Sequence, residues 1–179
     1  IPNSVSFIGW EAFYGCTGLK NIEIPNSVTE IGVEAFAECS GLTSIVIPNS
    51  VTYIYNYAFS GCTSLKDLRI EDGTTTLSLG YDGYSYNGGR GLFYDCPLEI
   101  IYLGRNINYE TNYFCGNSPF YDKEELKSLT IGNSVTELGD YAFRGCSSLI
   151  GIYLTHTTPP SVGSNAFTET LYTNTTLYV

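Results

Sequence analysis

The sequence lacks methionine and contains one histidine, one tryptophan and only eight lysines and arginines. Eighteen acidic residues outnumber these bases and give a net charge of −10. Because no basic cluster offsets this charge, the composition argues against a nucleic-acid partner. No apolar run approaches the roughly 18 residues of a membrane span, and the absence of a signal-peptide pattern from these residues carries no information about export. Since the chain starts at Ile1 in the middle of a repeated pattern, we expect it to be a piece of a longer protein.

The groups that catalysis or metal binding would need are also scarce. His156 is the only histidine, and it lies in the threonine-rich stretch LTHTTPP without a G-x-S-x-G motif elsewhere. The glycine-rich stretches lack the P-loop pattern, and the acids between 71 and 82 do not have EF-hand spacing. Glu110 and Asp122 could be paired as the two carboxylates of a glycosidase. The sequence offers no second structural element to enclose them in a cleft, so nothing would raise the pKa of one of them as an acid catalyst requires. The sequence therefore predicts no catalytic residue, no metal site and no cofactor.

What the sequence has is an internal repeat of 23 residues. The best-formed copy is IPNSVTEIGVEAFAECSGLTSIV at 24–46, and near copies occupy 1–23, 47–69 and 131–153. Self-similarity at this period is the signature of a solenoid, in which each coil buries its apolar side against its neighbours. We therefore expect one repeat solenoid over 1–179, with about seven coils.

Each coil can be interpreted physically. Alternating apolar residues predict a short parallel strand with one buried face, which ends at a Pro-Asn turn such as Pro48. A second short extended stretch and a short helical or 3₁₀ turn complete the coil. From the end of the second copy into the third, the residues expected to point inward are Leu42, Ile45, Ile47, Val51, Ile54, Ala58 and Phe59.

One phenylalanine recurs in every coil and fixes the expected register. Its occurrences are separated by 23, 23, 34, 27, 23 and 24 residues: Phe13, Phe36, Phe59, Phe93, Phe120, Phe143 and Phe167. Two larger intervals mark insertions, one between Ile70 and Phe93 and one between Leu103 and Phe120. Both insertions are expected on one side of the solenoid, so the irregular coils at 70–130 are the expected place for binding.

Cysteines also recur by position in the repeat. Five of the six follow the column phenylalanine by three residues: Cys16, Cys39, Cys62, Cys96 and Cys146. A column spreads its thiols along the solenoid axis, so it does not make the tetrahedral convergence that zinc needs. Bridges between neighbouring coils remain an alternative, but parallel side chains give poor disulfide geometry, and we expect free thiols. Cys115 lies off the column and is expected to be exposed.

Tyrosines are the candidate ligand-binding residues. They occur at outward strand positions and crowd the irregular middle of the chain, and tyrosine is enriched at recognition surfaces. The interpretation that some of them only fill space beneath the insertions stays open. The candidates are Tyr53, Tyr55, Tyr81, Tyr84, Tyr86, Tyr102, Tyr109 and Tyr113.

The repeats IPNSVTEIGVEAFAECSGLTSIV and IGNSVTELGDYAFRGCSSLIGIY resemble the BspA-like class of leucine-rich repeats, whose pattern is close to LxxIxIPxSVxxIGxxAFxxCxx. The resemblance covers nearly the whole chain and is weakest in the coils around 70–130. It implies an exported bacterial cell-surface protein without enzymatic activity, which binds a protein or glycan on a host or neighbouring cell.

Three functions remain as alternatives at this point. The first is a recognition module that uses exposed strand residues such as Lys66, Asp67, Arg69 and Tyr102 together with the tyrosine-bearing insertions. The second is a structural spacer without a ligand of its own. The third is a fragment of a carbohydrate-active enzyme, which would require a buried carboxylate pair in a cleft.

Overall fold

Parallel strands form one long ladder along the stack of coils. The structure, a computed structural model, describes residues 1–81, 91–109, 118–156, 158–168, 170 and 176–178. We call the larger sheet the long sheet, and its strands are β3 (Ser44–Ile47), β5 (Asp67–Ile70), β7 (Ile100–Arg105), β9 (Ser128–Ser134), β11 (Gly151–Leu154) and β13 (Thr176–Tyr178). Neighbouring strands in this sheet follow the chain order and pair in parallel, so successive strands come from successive coils.

A second ladder, the short sheet, lies where the chain runs on from the long sheet within each coil. Its strands are β1 (Phe7–Ile8), β2 (Glu30–Ile31), β4 (Tyr53–Tyr55), β6 (Leu77–Tyr81) and β8 (Ile107–Asn108). The separate parallel pair β10 (Glu137–Leu138) and β12 (Ser161–Val162) contributes strands from later coils. The predicted solenoid of short parallel strands is confirmed, and six long-sheet strands agree roughly with the expected coil number.

The register places equivalent apolar side chains on top of one another. Ile45 aligns with Leu68, which aligns with Ile101 in the following coil, and all three are buried. On the short sheet, Ile8, Ile31 and Ile54 align in the same way. A single coil could not bury these rows, but stacked coils form one continuous hydrophobic core.

The column of phenylalanines is present as predicted. Successive rings are stacked with centroid distances of 5.1, 5.2, 5.6, 5.9, 5.3 and 5.6 Å and interplanar angles between 3° and 18°. Five of the rings, from Phe36 to Phe143, are at most 1% exposed. Burying each one contributes roughly 1.5–3 kcal/mol relative to exposure, so this column is a main source of cohesion.

The segment around each column phenylalanine is a tight turn. No α-helix forms within the described residues. The predicted helical turn is a short turn closed by a hydrogen bond between residues three apart, with Ala37 N donating to Glu34 O. In the coils of Phe13, Phe36, Phe59 and Phe143, the residues two before and two after the ring take positive φ, such as Glu34 at 54° and Glu38 at 59°. A left-handed residue on each side of the Ala-Phe pair stops a helix from growing. Across coils, Phe36 N donates to Ala58 O at 2.7 Å, which adds a third hydrogen-bonded ladder.

The cysteines of the column are free, as predicted, for the five that the structure describes. Each buried thiol donates to the carbonyl of the column phenylalanine in the preceding coil, as from Cys62 to Phe36 at 3.1 Å and from Cys146 to Phe120 at 3.3 Å. Two coils place other donors there: Lys123 Nζ donates to Phe93 O at 2.5 Å, and Thr170 Oγ1 donates to Phe143 O at 3.2 Å. The position therefore requires a hydrogen-bond donor rather than a sulfur atom.

The first insertion is split by the short sheet. Eight positions separate Ile70 from Ser78, compared with six from Ile47 to the paired Tyr53, so two extra residues precede β6. The other extra residues follow Leu79. The expectation that both insertions emerge on one side concerns mainly 82–90 and 110–117, which lie outside the described residues.

A buried arginine lies at the point in this region where the regular repeat sequence is interrupted. Arg105, at the end of β7, is 0% exposed and reaches two coils back. Its guanidinium donates to the carbonyls of Pro48 and Asn49, each at 2.9 Å. Burial lowers the pKa of Arg105, while the charge of Glu71 acts in the opposite direction. The arginine thus satisfies carbonyls at a place where the regular repeat is interrupted.

Candidate binding face

The structure distributes the predicted tyrosines over several places. Tyr53 and Tyr55 lie on β4, and Tyr81 ends β6, so these three belong to the short sheet. Tyr102 lies on β7 of the long sheet, whereas Tyr84, Tyr86 and Tyr113 lie outside the described residues, as does Cys115. The described tyrosines therefore do not form the single patch that their sequence clustering suggested.

Tyr109 is a core residue, contrary to the expectation that it presents its ring to a ligand. It is 9% exposed, and its hydroxyl donates to the carbonyl of Asp140 at 3.0 Å. The register of β8 shows that the turn before it is one residue shorter than in a regular coil, which moves Tyr109 to the inward position that Leu138 holds in the next coil. The absence of a side chain at Gly139 provides the space for the Tyr109 ring, since a Cβ there would lie 2.6 Å from the Tyr109 hydroxyl.

Tyr53 and Tyr55 form a local aromatic pair on the outward side of the short sheet. Tyr53 is 43% exposed, and the two ring centroids are 6.3 Å apart. The Tyr55 hydroxyl donates to a carboxylate oxygen of Glu30 at 3.2 Å, so part of its hydrogen-bonding capacity is already used. The pair offers an exposed aromatic ring beside an acidic group.

The outward residues of the long sheet form a second and larger candidate surface, which we call the long-sheet face. One row along it pairs Val46 with Arg69, Tyr102 and Thr130, and Tyr153 follows in the next coil. The neighbouring row contains Ser44, Asp67, Ile100 and Ser128. Because each row alternates with buried leucines and isoleucines, the repeat holds these side chains at a fixed spacing along the stack.

At the centre of the long-sheet face, three side chains hold one another. The guanidinium carbon of Arg69 lies 3.9 Å from the centroid of the Tyr102 ring. The Tyr102 hydroxyl is 2.8 and 2.9 Å from the two carboxylate oxygens of Asp72. Partial burial raises the pKa of Tyr102, and its hydrogen bond to Asp72 raises it further. We call these three residues the Tyr102 cluster; it combines an aromatic ring, a cation and an anion.

A second polar group borders this cluster. Glu99 bridges two lysines, with its carboxylate oxygens 2.7 Å from Lys66 Nζ and 2.6 Å from Lys127 Nζ. The hydrogen bonds from Lys127 and Lys66 lower the pKa of Glu99 to about 2. The prediction that Lys66, Asp67 and Arg69 are exposed is confirmed, whereas Tyr102, predicted with them, is half-buried.

A further feature, which was not predicted from the sequence, is a groove on the turn side of the stack. The groove has a volume of about 450 Å³ and lies between the coils of Phe93 and Phe120. We call it the turn-face groove, and the residues that define it are Tyr94, Asp95, Tyr121, Asp122, Lys123 and Glu125. Its signal in the sequence is that a tyrosine and an aspartate follow the column phenylalanine in both coils, as FYD at 93–95 and at 120–122.

Groups that could hold a metal ion do not converge in the part of the chain that the structure describes. No cluster of three or more His, Cys, Asp or Glu side chains occurs there. Asp122 is an exposed turn residue with φ of 53°, and its formal partner Glu110 is not among the described positions. His156 lies half-buried in a bend. No helix among the described residues is long and apolar enough to cross a membrane.

Comparison with known proteins agrees with the repeat geometry. The sequence matches the profile of the family described as BspA type leucine rich repeat region, with six copies over residues 1–115 and 114–178. No curated protein sequence matches at a significant level.

Several solved structures are similar. A leucine-rich repeat protein of T. pallidum superposes with a TM-score of 0.58 and 29% identity, over 89% of this chain and 67% of that one. A leucine-rich repeat protein of Bacteroides ovatus gives 0.40 and 23%, over 94% and 57%. A leucine-rich cell surface protein of Faecalibacterium prausnitzii gives 0.41 and 23%, over 93% and 56%, so this chain spans little more than half of either protein. By its profile match and its stacked coils, this chain belongs to the BspA-type leucine-rich repeat family.

Proposed function

We propose that this chain is a non-catalytic recognition module of an exported bacterial surface protein, and that it contacts a protein or a glycan through the long-sheet face. The observation that carries the proposal is the Tyr102 cluster, in which contacts between neighbouring coils fix an exposed cation, a ring and a carboxylate. Tyrosine and arginine, together with tryptophan, are enriched among the residues that contribute most binding energy at protein interfaces.

Several properties of the face suit this role. Side chains held in place before binding lose less conformational entropy when a partner arrives. Ile100 and Tyr153 are 48% and 39% exposed and offer apolar contact area near the cluster. The cluster also places donors and acceptors together, as both protein and glycan partners require. Family membership is the ground for proposing export to the cell surface and the absence of catalysis.

The exposed aromatic pair on the short sheet and the tyrosine-bearing segments are proposed as additional contacts. Tyr53, Tyr55 and Tyr81 belong to this set, as do Tyr84, Tyr86 and Tyr113 from the segments outside the described residues. Tyr109 is left out, because its ring is packed inside the core.

A binding screen tests the proposal. The purified chain is passed over immobilised glycans and extracellular-matrix proteins, together with the variants Tyr102→Ala and Trp10→Ala. Trp10 is 72% exposed and lies in the turn after β1 of the short sheet, not on the long-sheet face, so it is the matched aromatic control. We expect a ligand that wild type and Trp10→Ala retain and Tyr102→Ala loses. Absence of any ligand would favour the structural spacer, and equal loss in both variants would remove the long-sheet face from consideration.

A further inference from the structure

The turn-face groove presents tyrosine and carboxylate side chains at the surface. Tyr94 is 55% exposed, and Asp95 beside it is exposed too. Tyr121 is the equivalent residue of the next coil, since both tyrosines directly follow a column phenylalanine. The stack therefore places two tyrosines and their neighbouring aspartates side by side along one groove.

The charge of the groove is negative at its surface. Three carboxylates, from Asp95, Asp122 and Glu125, line it together with a single ammonium group, that of Lys123. Lys123 is only 8% exposed, and its Nζ is used below the surface in the hydrogen bond to Phe93 O. The net charge of −10 on the chain strengthens the attraction for cations and the repulsion of anions.

The Tyr102 cluster shows how such groups receive a cation in this protein. There a guanidinium lies on a tyrosine ring and faces an aspartate. In the turn-face groove, Tyr94 and Asp95 supply the ring and the carboxylate, and the buried ammonium group of Lys123 is the cation that attracts Asp95 and Glu125 there. The nearest comparable contact is made by Arg144, whose guanidinium carbon is 5.6 Å from the Tyr121 ring centroid.

We propose that the turn-face groove binds a basic segment of a partner protein, with an arginine or lysine side chain lying on Tyr94 and facing Asp95 and Glu125. A cation over an aromatic ring beside carboxylates gains from the ring quadrupole and from direct charge attraction. The inference goes beyond the proposed function, because it concerns the turn-forming side of the coils and not the long-sheet face. It holds even if the long-sheet face binds nothing.

Fluorescence anisotropy with a short labelled oligo-arginine peptide at low salt tests the inference. We expect Tyr94→Ala and Asp95→Asn each to weaken binding roughly two- to fivefold, the range of an exposed cation–π or ion-pair contact. Tyr94→Phe keeps the ring and should bind like wild type. Asparagine suits position 95 because, like aspartate, it tolerates the φ of 55° found there.

Matched controls come from the same positions of other coils. Tyr14 follows Phe13 as Tyr94 follows Phe93 and is 52% exposed, while Glu38 has the position and left-handed conformation of Asp95. Tyr14→Ala and Glu38→Gln should leave peptide binding unchanged. If they weaken it as much as the groove variants do, the attraction is only that of an acidic protein and the inference is wrong. It is also wrong if a neutral oligosaccharide, and not the peptide, binds in a Tyr94-dependent way.

Discussion

The guanidinium of Arg69 lies over the ring of Tyr102, 3.9 Å from its centroid, although the two residues are 33 positions apart in the chain. The parallel pairing of β5 with β7 places them opposite one another on adjacent coils. Asp72 then accepts the hydrogen bond of the Tyr102 hydroxyl. The regular buried rows of the stack thus bring different side chains together on its exposed surface. Repeat proteins generally use such surfaces for binding.

The stack of phenylalanines should dominate stability. Phe59 lies between Phe36 and Phe93, so Phe59→Ala removes two ring contacts and leaves a cavity. We expect a loss of about 3–5 kcal/mol in the free energy of unfolding, measured by urea titration. Phe7→Ala is the control, because Phe7 is 45% exposed and should cost less than about 1 kcal/mol. Equal losses in the two variants would contradict the stack.

Thiol reactivity should follow the column. Burial raises the pKa of Cys39 to about 11 and that of Cys146 to about 12, which keeps these buried thiols protonated at neutral pH. Cys16 is exposed in the first coil. In a Cys115→Ser background, we expect a thiol reagent at neutral pH to modify Cys16 rapidly and the other four cysteines only after denaturation. Rapid modification of Cys62 in the folded protein would show that the column is open.

The buried lysine should make stability depend on alkaline pH. Burial lowers the pKa of Lys123 below its usual 10.5. Between the folded and the unfolded pKa the unfolded chain binds more protons, so the contribution of Lys123 to stability rises as the pH rises toward 10.5. The difference in unfolding free energy between wild type and Lys123→Met should therefore increase over this window. Lys20→Met, at an exposed position, should show no such trend.

Glu99 should act in the acid range. Its two lysine partners lower its pKa from 4.5 to about 2, so its contribution is complete above 4.5 and is lost as the pH falls toward 2. We expect the advantage of wild type over Glu99→Gln in thermal melts to shrink over this interval and also at high salt, because the pairs are exposed. An advantage that persists at pH 2 would mean that Glu99 acts through packing. Glu124→Gln, an exposed acid nearby, is the control.

Much of this fold could be predicted because the same residue types recur at the same positions of each repeat. The spacing of the phenylalanines and of positions such as Ile45 and Ile54 directly predicts the inward rows. The stacking of like on like then follows, since a coil can bury these residues only against its neighbours. The thiol column followed from the same register.

The features that could not be predicted from the sequence depend on contacts that do not follow the 23-residue repeat. Tyr109 turned inward because one residue is missing from the turn before it, and no pattern within its own coil records this. Arg105 pairs with carbonyls two coils away, beyond the range of nearest-neighbour repetition. Lys123 occupies a thiol position because any donor of suitable reach satisfies the same carbonyl. The left-handed conformation of Glu34 and Tyr57 is imposed by the turn and not by their residue types.

We propose that the inward column provides cohesion while the outward long-sheet face provides recognition. The most direct test measures affinity for the ligand identified by the screen, and the melting temperature, in Phe59→Ala and in the double variant Arg69→Ala with Tyr102→Ala. We expect folded Phe59→Ala to melt lower and bind like wild type, and the double variant to melt like wild type and bind about tenfold more weakly or worse. Unchanged binding by the double variant, or equal loss of binding in both proteins, would contradict the claim.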